Sequence, residues 1–113
     1  MKMKAIMLAV LASLSTNVLA FDGNHLAEAS KAYNLGLTTN ELSANDIVLA
    51  GYFQGLVVGV AQVSTVVCYM PGTQSKQFAI VVAKYVEEHP EKYDEAETSI
   101  VSQALAEAFP CKN

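Results

Sequence analysis

The chain has 113 residues, with 7 basic against 11 acidic side chains, a formal net charge of −4 and a hydrophobic fraction of 52%. That length admits one domain around one core and excludes two. The acidic balance argues against a nucleic-acid partner and fits a basic protein partner, although the same excess of acid charge also keeps small domains soluble.

The N-terminus reads as a secretory leader. Met1-Lys2-Met3-Lys4 is a short basic start, Ala5 to Leu14 is an apolar run, and Val18-Leu19-Ala20 ends in the small-residue pattern of a signal-peptidase site. Cleavage is predicted after Ala20, with the remainder exported to the periplasm. The apolar run is short for a membrane span, and no cysteine follows the cut, so neither a signal anchor nor a lipid-modified terminus is expected. Subtracting the 20 leader residues from 113 leaves 93, from Phe21 to Asn113. Loss of Lys2 and Lys4 leaves 5 basic against 11 acidic residues, a net charge of −6.

In an oxidising compartment the only two cysteines, Cys68 and Cys111, are predicted to pair. The chain-entropy account gives such a crosslink about 4 kcal/mol. There is no CxxC redox pair, and His25 and His89 are not spaced with the cysteines as zinc ligands, so neither metal nor cofactor is expected.

Four helical signals predict a small all-α, four-helix-type bundle, a single domain over residues 21–113. A first helix starts near Asp22-Gly23-Asn24, places Leu26, Ala29 and Tyr33 on one face and is expected to break at Gly36. Ser43 caps a second, long central helix, with Asp46 at its positive end, predicted to run from Asp46 to about Met70. No charged residue occurs between Asp46 and Lys76. Length, composition and the register of Gly51, Gly55 and Gly59 raise the possibility of a membrane span. Gln54, Gln62, Ser64 and Thr65 argue against it, as do two following amphipathic helices that need an apolar surface to cover. The glycines are then expected to form a flat stripe for close packing within the bundle. Pro71-Gly72 ends this helix. Thr73 caps a third, in which Phe78, Val81, Val82, Tyr85 and Val86 repeat at helical spacing, and Pro90 stops it. Asp94 with Glu97 reads as a capping box for a fourth helix burying Ile100, Val101, Ala104, Leu105, Ala108 and Phe109, ended by Pro110.

An enzyme is not expected. With the cysteines paired, the bases left for a hydroxyl nucleophile are His25, beside the new N-terminus, and His89, at a helix end where it suits the dipole better than proton transfer. The acidic stretch Glu87-Glu88-His89-Pro90-Glu91-Lys92-Tyr93-Asp94-Glu95 reads either as a solvated helix connection or as a protruding loop. As a loop, its charge and Tyr93 would suit a partner's basic cleft. Its carboxylates do not follow a calcium-loop spacing. The contact residues singled out are Glu87, Glu88, Glu91, Tyr93, Asp94 and Glu95. The turn Pro71-Gly72-Thr73-Gln74 is the second candidate.

The ordered set Gly51-Tyr52-Phe53-Gln54-Gly55 with Gly59, Cys68-Tyr69-Met70-Pro71, Gln77, Lys84-Tyr85-Val86 with His89-Pro90-Glu91, and Ala104-Leu105 with Ala108-Phe109-Pro110-Cys111 resembles the Rap/Tai family. These are periplasmic immunity proteins against peptidoglycan amidases delivered by the type VI secretion system. The resemblance spans Asn24 to Cys111. It implies a helical domain that often dimerises, a Cys68–Cys111 disulfide, and core roles for Tyr85, Leu105 and Phe109. It further implies that the chain binds a cognate amidase effector and sterically blocks its catalytic cleft, with no turnover; the polar residues of the central segment and the amphipathic helices after it predict no stable membrane insertion. Some relatives carry a second cysteine pair where this chain has Ala29-Ser30 and Leu49-Ala50, so that bridge is not expected. The competing reading is a periplasmic acid-stress chaperone, also small, helical and disulfide-linked, which opens at low pH to expose apolar surface.

Overall fold

The computed structural model describes residues 21–112; the leader read over residues 1–20 lies outside them. The described residues form four α-helices, α1 (Gly23–Thr38), α2 (Ala44–Val63), α3 (Ser75–Glu88) and α4 (Glu97–Ala108), with a 3-10 turn at Pro90–Lys92 between α3 and α4. The predicted bundle is present, with one disulfide joining Cys68 and Cys111.

The first three helices begin where side chains satisfy free amides. Asp22 caps α1 by accepting from the backbone N–H groups of Asn24 and His25. These bonds, with the Asn24 side-chain amide as the largest contributor, hold the Asp22 carboxyl below the ordinary aspartate range. Ser43 caps α2: its hydroxyl accepts from Asp46 N and donates to the Asp46 carboxylate. At α3 the cap shifts one residue from the expected Thr73. Gln77 Oε1 accepts from Gln74 N at 2.7 Å, while Thr73 Oγ1 donates to Met70 O at 2.7 Å and closes the Pro71-Gly72 turn. Gly72, at φ 92°, takes the left-handed position this turn needs.

Three expected boundaries move, each for a visible reason. The first helix continues through Gly36 to Thr38, because Thr38 Oγ1 and Thr39 N both donate to Leu35 O and satisfy the carbonyl end. The second stops at Val63 rather than near Met70. Beyond it the chain is drawn into extended pairing with the C-terminal tail: Val67 faces Pro110 as an antiparallel bridge, Cys68 N donates to Phe109 O at 2.8 Å, and the disulfide locks the two segments. At α4 the Asp94–Glu97 capping box does not form. Ala96 holds the cap position with no side-chain bond, and Glu97 turns inward instead.

The core is a layer of Leu26, Phe53, Val57, Val82, Val86, Ile100, Val101 and Leu105, contributed by all four helices. Tyr33 packs on Phe53 and Phe78 on Phe109 as aromatic pairs; burial pushes the Tyr33 hydroxyl's pKa up. Leu105 is fully buried, as expected, while Tyr85 and Phe109 are half-buried against the core and Ala108 is exposed.

One expectation fails on α2. Gly51, Gly55 and Gly59 do not pack against the other helices: a Cβ at any of the three would meet nothing within 4 Å. Only Phe53, Val57 and Ala61 of this helix are buried, and Ile47, Val48 and Val63 on its outer side are 59%, 69% and 80% exposed. By length and composition α2 could cross a membrane. The remaining helices cover just one of its faces, because α1, α3 and α4 all pack on the Phe53 side.

Two contacts fix the start of α1 against the far end of the chain. Gly23 N donates to Glu95 O at 2.9 Å and Glu97 N to Phe21 O at 3.1 Å, flanking the bridge between Asp22 and Ala96. Beside them the buried Glu97 carboxylate, 5% exposed, accepts from His25 Nδ1 at 3.1 Å and from the Tyr52 hydroxyl. The Phe21 ring stacks on His25 at 3.9 Å.

Gly23→Ala should therefore destabilise the domain by about 1–3 kcal/mol or more, since its Cβ would fall 2.5 Å from Tyr93 Cα and 2.7 Å from Ile100 Cδ1; urea unfolding measures the loss. Glu97→Ala leaves Tyr52 and His25 without their shared acceptor and should cost about 1–3 kcal/mol in the same assay. Replacing both Cys68 and Cys111 with Ser should lower stability by up to about 4 kcal/mol, and reductant should then shift the unfolding midpoint of the wild type but not that of the variant.

Candidate functional site

The connection from the end of α3 to the start of α4 carries all six predicted contact residues. Local sequence forces its shape. Pro90 cannot continue α3, and its fixed φ suits the first position of a tight turn, so Lys92 N bonds to His89 O at 3.0 Å and Tyr93 N to Pro90 O at 3.2 Å. His89 holds the end of the helix as expected of a terminal histidine. Its Nδ1 bonds Tyr85 O at 2.8 Å, so this nitrogen carries the proton, and its ring stacks on Tyr85 at 3.9 Å.

The segment is braced from three sides. Tyr93 OH donates to Val86 O at 3.1 Å, Asn24 Nδ2 to Tyr93 O at 3.3 Å, and Gln103 Nε2 to Glu95 Oε1 at 2.8 Å. Lys92 Nζ donates to Gln103 Oε1 at 2.7 Å and lies 3.6 Å from the Glu95 carboxylate. A loop with this many internal bonds presents its outward side chains in a fixed arrangement.

The six residues consequently fall into two groups. Glu87, Glu88, Glu91 and Asp94 are exposed. Tyr93 and Glu95 are half-buried and spend their polar atoms inside the fold, so they hold the loop rather than project from it. Among the exposed acids Glu88 approaches Lys84 at 4.0 Å across solvent, a contact of small value, whereas Glu87, Glu91 and Asp94 make no ion pair among the described residues. A shallow groove runs beside them, between α1 and the end of α3, walled by Lys31, Asn34, Val86, Glu87 and Tyr93.

The second candidate, Pro71 to Gln74, lies at the opposite end of α3, about 20 Å away at 1.5 Å per residue. The two candidates are therefore separate surfaces. The Pro71 turn adjoins the disulfide and Met70, which is 80% exposed, and carries no charge.

The His25–Glu97–Tyr52 cluster had no sequence signal. The three residues come from α1, α4 and α2, at separations of 72 and 45 positions, and Glu97 occupied a plausible capping position. Only the inward turn of α4 shows that its carboxylate ties three helices together. No group of three or more His, Cys, Asp or Glu side chains among the described residues could hold a metal ion.

A comparison with curated proteins returned no match. A family model described as Rap1a immunity proteins matches residues 22–111, from the N-cap of α1 to the second cysteine of the disulfide. With all four helices and the acidic connection inside that match, the chain belongs to the Rap1a immunity protein family.

Proposed function

We propose that this protein is a periplasmic immunity protein that binds a peptidoglycan amidase effector of the type VI secretion system and blocks it sterically, as a homodimer released from its leader after Ala20. Family membership supports the immunity role. The observation that carries the proposed mode of binding is the braced acidic connection. Glu87, in the last turn of α3, and Glu91 and Asp94 on the loop stand exposed and unpaired, and the loop's own hydrogen bonds are satisfied inside the fold. Such a surface pays little ordering entropy on docking and offers fixed carboxylates to basic groups around an enzyme's cleft. No residue of the effector is transformed; occupancy of the cleft is the whole effect, so inhibition is stoichiometric.

The oxidised domain 21–113 should inhibit the amidase encoded beside it at one domain per enzyme near neutral pH. The triple variant Glu87→Lys, Glu91→Lys, Asp94→Lys should weaken that inhibition by at least about tenfold, mainly through slower association that recovers as salt screens the reversed charges. Unchanged inhibition by the triple variant would move the contact elsewhere, with the Pro71–Gln74 turn next to be tested. Failure of the wild type to bind or inhibit the enzyme would remove the amidase reading. Capture of many unfolded clients only after acidification would favour the chaperone alternative.

A further inference from the structure

The groove between α1 and the end of α3 contains a polar group that the fold leaves unused. Ser30 is 4% exposed, yet its hydroxyl makes no hydrogen bond among the described residues. Nor is it sealed away, because no fully enclosed side-chain oxygen or nitrogen among those residues lacks a partner. The oxygen therefore opens into the groove that Ser30 helps to line. A hydroxyl left unpaired at the base of a groove is stabilised by anything entering that supplies the missing bond.

The surroundings of Ser30 are as specific as its burial. Ala27 and Val86 are buried and give an apolar floor, and Tyr93 gives a wall. That wall is fixed, since the Tyr93 ring packs against the core and its hydroxyl donates to Val86 O at 3.1 Å. Half-buried Asn34 and exposed Glu87 form the rim, and neither side chain has a hydrogen-bond or ion-pair partner among the described residues. The open volume is about 210 Å³. Sites that take a drug-sized ligand measure about 300–1,000 Å³, so this one suits a single long side chain.

Ser30, Asn34 and Glu87 each present an acceptor oxygen, spread between floor and rim beside one aromatic ring. A guanidinium matches that set: it is planar and cationic, carries five N–H donors in a fixed fork, and is attracted to aromatic rings. An ammonium presents its three donors from one compact point, which suits a lone carboxylate better than acceptors set apart. A carboxylate would meet Glu87 as a like charge. Lys31, the one cation lining the groove, makes no ion pair among the described residues and also borders a neighbouring groove beside Glu28 and Asp46. Its ammonium can turn toward those carboxylates when another cation enters. We propose that this groove is the receptor for one arginine side chain of the protein partner, held against Tyr93, paired with Glu87 and hydrogen-bonded to Asn34 and Ser30. Resting on the docking role proposed above for the acidic connection, the receptor gives that surface its anchor: Glu91 and Asp94 attract a basic patch, and the groove decides which residue of it is gripped.

Titrating the oxidised domain 21–113 with the blocked peptide acetyl-Gly-Arg-Gly-amide at low salt, followed by backbone amide NMR, tests it. Saturable shifts should appear at Ser30, Asn34, Glu87 and Tyr93, with weaker binding of the Lys peptide and none of the Glu peptide. Glu87→Gln should raise the peptide's dissociation constant by at least about tenfold, and Ser30→Ala by about threefold. Ser30→Ala should leave helicity and the urea midpoint unreduced, because the hydroxyl bonds to nothing in the free domain. Lys31→Ala should tighten binding by about twofold to threefold, as loss of an exposed like charge does. Absence of saturable shifts at these residues, equal binding of the Lys or Glu peptide, or weaker binding by Lys31→Ala would overturn the proposal. The titration contains no amidase, so its failure sinks the receptor alone. Peptide binding as described, with no inhibition of the amidase, would uphold the receptor and sink only the assigned target.

Discussion

The arrangement depends on one close approach, that of Gly23 to the backbone of Tyr93. The first turn of α1 sits so near the α3–α4 connection that no side chain fits between them. The missing Cβ allows two backbone hydrogen bonds to join residues more than seventy positions apart, Gly23 to Glu95 and Glu97 to Phe21. From that junction follow the position of the acidic loop, the inward turn of Glu97 and the burial of Ile100. A bulkier residue at position 23 would have to push α1 outward, and the loop would lose the Asn24 brace that depends on this contact.

Two further constraints hold the opposite ends of the bundle. At the junction end, Glu97 exchanges the amide bond it could have made as a capping residue for bonds to His25 and Tyr52, which link α4 to α1 and α2 through one buried carboxylate. A buried acid without such donors would be costly; with them it fixes the relative rotation of three helices. At the other end, the disulfide and the Val67–Pro110 bridge pin the C-terminal tail to the segment after α2. The core between these ends is built from medium-sized aliphatic side chains with Tyr33, Phe53 and Phe78, and no tryptophan, so specificity of packing rests on the two terminal locks as well as on shape.

Much of this was legible from residue order. Helix starts at Asp22 and Ser43, the stop at Pro90 and the apolar periodicity of α3 and α4 depend on short-range rules, the cysteine pairing follows from there being only two cysteines, and the structure agrees with each. The misread features depended on partners distant in sequence. The length of α2 was overestimated because Ser64 to Met70 are apolar enough to continue a helix, and only the tail pairing draws them out of it. The Glu97 carboxylate looked like a cap because its true partners lie 45 and 72 residues away. Gly51, Gly55 and Gly59 were recognised as a packing stripe, but sequence periodicity does not distinguish a face covered by the same chain from one left open. Within the acidic stretch, exposure was legible for Glu87, Glu88, Glu91 and Asp94. The inward role of Tyr93 and Glu95 was not, because it needs Val86 and Gln103 to be in reach.

The disulfide divides the chain into a covalent ring and an open arm. Residues 68–111, with α3, the acidic connection and α4, lie inside the ring; α1 and α2 precede it. A protease that cuts once in the exposed connection leaves both pieces joined through Cys68 and Cys111, and the core can hold them in register. A single cut in the exposed stretch around Asn40 and Glu41 instead leaves α1 attached by noncovalent contacts alone. The part of the fold that carries the acidic loop is thus the part in which a broken peptide bond does not release a fragment.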